Sequence, residues 1–224
     1  MKKVTVFLMV LVSAFVTTFN GCLKSNTSQY KIDTNLIKQI SSRNPNYITI
    51  DKIPDNLKNA VISVEDKRFY FHNGFDYISI TRALYANVRA GKIKEGGSTI
   101  TQQLAKNLFL ANDRTFKRKF EEVFFTMELE RKYTKDQILE MYFNVIYYGS
   151  NTYGVQNASK KYFNKDLKDL SLEECALLAG IPQAPNAYNP DKHPENAQKR
   201  KEVVLAAMKR NSGIPKTSTT LVMN

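Results

Sequence analysis

Metal-ligating and redox side chains are scarce in this sequence, which has two histidines, two cysteines and no tryptophan. Cys22 lies near the N-terminus and Cys175 inside the apolar run Cys175-Ala176-Leu177-Leu178-Ala179, so a disulfide framework is excluded and Cys175 reads as a small buried hydrophobe. His72 and His193 show no metal-ligand spacing, and the expectation is no protein metal site. No internal repeat of 20 to 50 residues appears, which excludes solenoids and propellers. Acidic side chains are also in deficit, 21 Asp+Glu against 33 Lys+Arg, giving a formal charge of +12. Such a charge suits nucleic acid, anionic lipid headgroups or phosphorylated substrates, with an ordinary solvated basic face as the plain alternative.

The N-terminus narrows that choice. Met1-Lys2-Lys3 precedes an apolar run from Val4 to Phe19, broken by Thr5, Ser13, Thr17 and Thr18, which is the layout of a signal peptide or signal anchor. As a helix its 16 residues span roughly 24 Å, short of a ~30 Å hydrocarbon core. A retained anchor, a lipoprotein modified at Cys22 and a cleaved signal all remain open. Lys2 and Lys3 hold the start in the cytoplasm, so the rest is expected on the extracytoplasmic side of the cell membrane. An exported chain rarely meets nucleic acid, and no nucleic-acid partner is expected. The membrane surface and a phosphate-bearing substrate survive.

About 200 residues follow the apolar run, enough for one domain. The reading divides the chain into a signal segment at 1–22, a polar tether at 23–45 with no core, a catalytic domain at 46–211 and a polar tail at 212–224. Tyr47 to Ile50 suggests a short strand. Pro54 opens a helix with Leu57, Ala60, Val61 and Val64 on one stripe, ending near Glu65-Asp66. Asp76 caps a second, carrying Ile80, Leu84 and Val88 and stopped by Gly91, and Thr99 starts a third. A long helix from Thr115 to Lys132 is expected to bury a face of Phe116, Phe120, Val123, Phe124 and Met127. Capping boxes at Thr134/Gln137 and Ser171/Glu174 start two more, Gly180 and Pro182 end the latter, and a last helix carries Val203, Val204 and Ala207. Seven or eight helices with almost no strand make the class mainly α.

Three segments carry candidate chemistry. Glu65-Asp66 ends a helix beside Phe69, Tyr70 and Phe71, where desolvation raises a carboxyl toward the range of a general base; a merely solvated helix end is the plain alternative. Gly96-Gly97-Ser98-Thr99 leads into Gln102, Gln103 and Lys106, a helix start able to hold an anion, or simply a capped helix. Arg114, Arg118 and Lys119 precede Glu122 on the long helix, a cluster able to grip a diphosphate, or to form surface ion pairs.

Together and in this order, the segments resemble the peptidoglycan glycosyltransferase domain of family 51, found in class A penicillin-binding proteins and in monofunctional wall transglycosylases. The resemblance runs from about Asn46 to Met208. Glu65, Asp66, Phe69, His72 and Gly74 match the first motif, and Gly97 to Gln103 the second. Arg118, Lys119 and Glu122 match the third, and Lys135, Ile138, Leu139, Tyr142 and Asn144 the fourth. Arg200-Lys201-Glu202-Val203-Val204-Leu205 matches the fifth, with Lys201 where Arg is usual; Glu121 stands where some relatives carry a basic residue.

The resemblance implies a single lysozyme-like helical domain that joins lipid II to a lipid-linked growing glycan at the bacterial cytoplasmic membrane, with inversion at the donor's anomeric carbon. It implies Glu65 as the general base and Glu122 as a donor-side acid. Ser98, Gln102, Lys106, Arg114, Arg118 and Lys119 would surround the donor diphosphate, with Arg82 a further basic candidate and Gln103 a further substrate-binding residue. It allows a divalent cation (Mg or Mn) at that diphosphate, no organic cofactor, and other cell-wall synthesis proteins as partners. Ile93, Phe109 and Leu110 are candidates for a lipid-facing platform, with a place in the core the more ordinary reading of Phe109 and Leu110. Two rivals are a lytic transglycosylase or lysozyme-like hydrolase, and an inactive anchored scaffold. A transpeptidase domain is not expected, since the sequence ends at Asn224 and Ser28-Gln29-Tyr30-Lys31 lies in the tether.

Overall fold

The computed structural model describes residues 29–92, 96–110 and 116–212; the expected signal segment, Ile93, Arg114 and most of the polar tail lie outside them. The described chain is mainly α, with α1 Leu36–Arg43, α2 Asp55–Glu65, α3 Tyr77–Ala90, α4 Ile100–Phe109, α5 Phe116–Lys132, α6 Lys135–Val145, α7 Val155–Phe163, α8 Leu172–Gly180 and α9 Pro194–Asn211. Among the described residues the only β pairing is an isolated bridge between Tyr147 and Tyr153. No helix among them is long and apolar enough to cross a membrane.

Local sequence explains most boundaries. Thr99, Thr134 and Ser171 each accept the amide three residues on, and Gln102, Gln137 and Glu174 reach back to complete capping boxes. Asp76 caps α3 by accepting from the Ser79 amide, and Gly91 ends it at φ +63°. Two three-helix groupings share the core: α2, α8 and α9 pack on one another, while α4 packs on α5 and α6. Residues from both, including Val61, Leu104, Leu129, Phe143 and Leu178, form one buried cluster.

Four expectations are corrected. Within the supposed tether, α1 packs on α6 and buries Leu36 and Ile40; Tyr133 locks it, donating to the Asp33 carbonyl and accepting from the Leu36 amide at 3.2 Å. Tyr47 to Ile50 is not a strand. Asn144 Oδ1 takes the Ile48 amide at 2.9 Å and Glu140 the Ile50 amide at 2.8 Å, so α6 side chains do a ladder's work. The α5 stripe is rotated: Phe120 and Met127 are 68% and 58% exposed, while Glu122, Phe125, Thr126 and Leu129 face inward. On α3, Leu84 and Val88 are exposed and Ala83 is the one buried residue. Helix α7, opened by Gly154 without a side-chain cap, was not expected at all.

Candidate active site

Each of the first four motifs is pinned to another. Asp66, just past α2, meets His72 Nε2 at 2.9 Å and accepts the Ile100 amide at 3.1 Å, fastening the end of α2 to the start of α4. Thr99 donates to the Gly74 carbonyl at 2.7 Å. Gly74 sits at φ +89°, where a Cβ would meet Thr126 Cγ2 at 2.8 Å, so only glycine lets this loop close on α5. Glu130 accepts from Thr101 at 2.5 Å and Lys135 at 2.7 Å, and the Lys135 ammonium lies 4.6 Å from the Phe69 ring centre. Burial pulls the Lys135 amine down, against the opposing pull of Glu130.

Two carboxylates emerge from this frame. Glu65 ends α2 with its Oε2 accepting from Gln103 Nε2 at 2.8 Å, and its Oε1 lies 3.4 Å from the Arg200 guanidinium. Burial raises its carboxyl above the ordinary value; Gln103 and Arg200 oppose that rise, and the neighbouring Asp66 adds to it. Gly180 gives Arg200 its approach, since a Cβ there would come within 2.8 Å of Arg200 Cγ. Glu122, on α5, is 4% exposed. It is held by Lys119, by Arg118 at 3.6 Å and by Gln102 Nε2 at 3.2 Å.

Helix α4 joins the two. Successive helical residues point about 100° apart, so Gln102 reaches Glu122 on one side while Gln103 reaches Glu65 on the other. Both glutamines, expected among the substrate-binding residues, are thus engaged with the carboxylates. Ser98 and Lys106 are exposed at opposite ends of this stretch, and Arg82 is exposed on α3. Phe109 does not join an outer platform: it is buried and stacks on Phe125 at 4.5 Å, with Leu110 half-buried beside it. Sequence reasoning placed Arg200 in the fifth motif but missed its pairing with Glu65, 135 residues away, which no local pattern signals.

The residues were also tested for a divalent cation. No group of three acidic, His or Cys side chains among the described residues could hold one, and the Glu122 oxygens already face Lys119, Arg118 and Gln102. Among the described residues, the side chains by themselves do not compose a divalent-cation site.

The family model described as Transglycosylase matches residues 33–209. The chain belongs to the transglycosylase family. It is 49% identical over 172 residues to Penicillin-binding protein 1F of Bacillus subtilis, covering 77% of this chain and 24% of that protein. Penicillin-binding protein 1A of Aquifex aeolicus is 51% identical over 162 residues, covering 72% of this chain and 22% of that protein. The chain therefore spans about a quarter or less of these relatives' length. A crystal structure of Penicillin-Binding Protein 1A from Haemophilus influenzae aligns with 76% of this chain and 16% of that one, at 24% identity and a TM-score of 0.43. The match from residue 33 takes in α1, consistent with its packing on the core.

Proposed function

We propose that this transglycosylase polymerises lipid II into β-1,4 glycan strands by inverting transfer, with release of polyprenyl diphosphate. The observation that carries the reading is the buried, raised carboxyl of Glu65, joined through the Gln103–Gln102 step of α4 to a second carboxylate set among cations. Glu65 takes the proton from the acceptor sugar's 4-hydroxyl as that oxygen attacks the donor's anomeric carbon. The bond from that carbon to the diphosphate oxygen breaks, and its electron pair leaves with the diphosphate. Lys106, Arg118 and Lys119 neutralise the developing charge, with Ser98, Arg82 and Arg114 as further contacts. Glu122 holds Arg118 and Lys119 in place on the donor side, and any divalent cation there would draw most of its ligands from the diphosphate.

The charge distribution favours transfer over hydrolysis. A hydrolase must protonate a poor alkoxide leaving group, whereas a diphosphate needs mainly charge neutralisation. The lysozyme-like arrangement and an N-terminal anchor belong to the same reading. A tether would keep the cleft at the headgroups where polyprenyl substrates remain. The exposed apolar side chains of α3 (Tyr77, Ile78, Leu84, Tyr85 and Val88) supply the lipid-facing surface assigned in the sequence to Ile93, Phe109 and Leu110.

The test is incubation of purified protein with lipid-linked disaccharide and, separately, with finished wall. Lengthening glycan on the lipid substrate is the expected result. Sugars released from finished wall, with no elongation, would make the chain a hydrolase, and inactivity in both arms would make it a scaffold.

A further inference from the structure

A cavity of about 380 Å³ lies among the ends of three helices, and none of its lining residues belongs to the acids and cations described above. Arg43 and Asn44 close α1, Asn107 and Leu108 lie in the last turn of α4, Asn144 and Val145 end α6, and all six line it. Tyr153 and Asn157, at the start of α7, form a further wall. Gly154 lets that wall close: at φ +79° a Cβ would meet the Asn144 carbonyl oxygen at 2.9 Å.

The lining is held in place by its own contacts. Asn107 donates to the Gln103 carbonyl at 2.8 Å, Asn157 to the Tyr153 carbonyl at 2.8 Å and Asn44 to the Asn144 carbonyl at 3.3 Å. The Tyr153 ring, 54% exposed, rests against Tyr147 with 4.9 Å between ring centres. The Arg43 guanidinium lies 4.9 Å from the centre of the Tyr30 ring.

This chemistry selects among ligands. A helix C-terminus carries carbonyls without partners in the helix, and the negative end of its dipole. Three of them converging make a wall rich in acceptors, which disfavours a diphosphate and suits an uncharged ligand with many O–H and N–H donors. Four asparagines line the cavity, no acidic side chain does, and Arg43 is its one charged group. An N-acetylated sugar chain fits on every count. Its hydroxyls and amides donate, the C–H face of its ring is apolar enough to lie on Tyr153, and an attached peptide brings a carboxylate for Arg43. The volume is that of a small-ligand pocket.

We propose that this cavity is a holding site for the glycan strand, seating N-acetylated sugars against Tyr153 and the asparagines and a peptide carboxylate of the same strand against Arg43. It begins about 6 Å, one turn of α4, beyond Gln103, whose amide holds Glu65. A strand retained there keeps a high local concentration for the next addition, so more sugars are joined per encounter. The choice of glycan among hydroxyl-rich ligands rests on the polymerase reading above.

The experiment has two arms, run on the full chain and on its Tyr153→Ala and Arg43→Ala variants, with thermal unfolding as the control on the fold. The first measures binding of a β-1,4-linked tetramer of N-acetylglucosamine, of peptide-bearing strands released from wall, and of the free peptide. Tyr153→Ala should weaken binding of tetramer and strands about 3 to 10-fold, and Arg43→Ala should weaken that of the peptide-bearing strands alone. The second arm measures glycan length and the rate of disaccharide consumption. Both variants should make strands about half as long or shorter, with consumption within about twofold of the parent chain and the melting point unchanged. Tetramer binding that is absent from the parent chain, or equal in parent and Tyr153→Ala, overturns the inference, and so does free peptide that binds as tightly as the strands. If the parent chain elongates glycan while Tyr153→Ala leaves binding and strand length untouched, only this inference falls. A parent chain that binds the tetramer through Tyr153 but never elongates removes the polymerase reading and leaves a glycan-binding site.

Discussion

Glu65 and Glu122 are both buried acids, both reached by a glutamine from the same turn of α4, yet their surroundings differ in kind. Glu65 has the Gln103 amide at 2.8 Å and a single guanidinium 3.4 Å away, and burial dominates its carboxyl. Glu122 is gripped by an ammonium and a guanidinium within three and four residues on its own helix. A carboxylate short of compensating charge is suited to accept a proton, and one set among cations is suited to hold those cations in place. Position 103 against position 102 decides which environment each glutamine serves.

The largest effect should come from testing the first half of that contrast. Glu65→Gln keeps the shape and an acceptor for Arg200 but removes the base. Polymerisation should fall about 10² to 10⁴-fold with lipid-substrate binding nearly intact. Measured by glycan elongation beside a binding assay, unchanged turnover would take the base role from Glu65.

The second half is tested on the cations. Arg118→Ala and Lys106→Ala should each weaken donor use about 10 to 100-fold, the value of one charge-assisted hydrogen bond. The loss should appear in donor kinetics and leave the acid limb of the pH profile in place. If neither variant alters donor kinetics, the diphosphate sits elsewhere.

How much of this was legible in the sequence follows from what each signal depends on. Caps at Thr99, Thr134 and Ser171 are local chemistry, written within four residues, and the helices begin where they indicate. Which face a helix buries is not local. On α5 the aromatic positions 120 and 127 point outward, and the inward face contains Glu122 and Thr126, polar residues whose partners come from α4 and their own helix. Hydrophobic periodicity therefore misplaced Phe120 and Met127, although Phe124 does pack against the core. Helix α1 was read as tether because it is mostly polar, and its two buried anchors, Leu36 and Ile40, are too few for periodicity to register. For the site, the motifs named Glu65, which ends α2, and Glu122, which lies on α5. The pairings of Gln103 and of Arg200 with Glu65 join elements 38 and 135 residues apart, which only the fold brings together.

The smallest effect is the most diagnostic, because the two acids should oppose each other in stability. A carboxyl whose folded value is raised above its unfolded value binds its proton more tightly when folded. Its cost is absent below the unfolded value, grows as pH rises toward the folded one, and is constant above it. The raised Glu65 carboxyl thus destabilises the fold at neutral pH, and Glu65→Gln should melt higher than the parent chain. That gain should vanish as the pH falls through the ordinary carboxylate range. Glu122→Gln should do the reverse, since it leaves Lys119 and Arg118 facing each other without their counter-charge, at a cost of about 1 to 3 kcal/mol. Thermal unfolding of the two variants at neutral and acid pH reads both signs in one experiment. If both variants shift the melting point in the same direction at neutral pH, the two acids are not specialised by their surroundings, and the division of labour along α4 loses its physical basis.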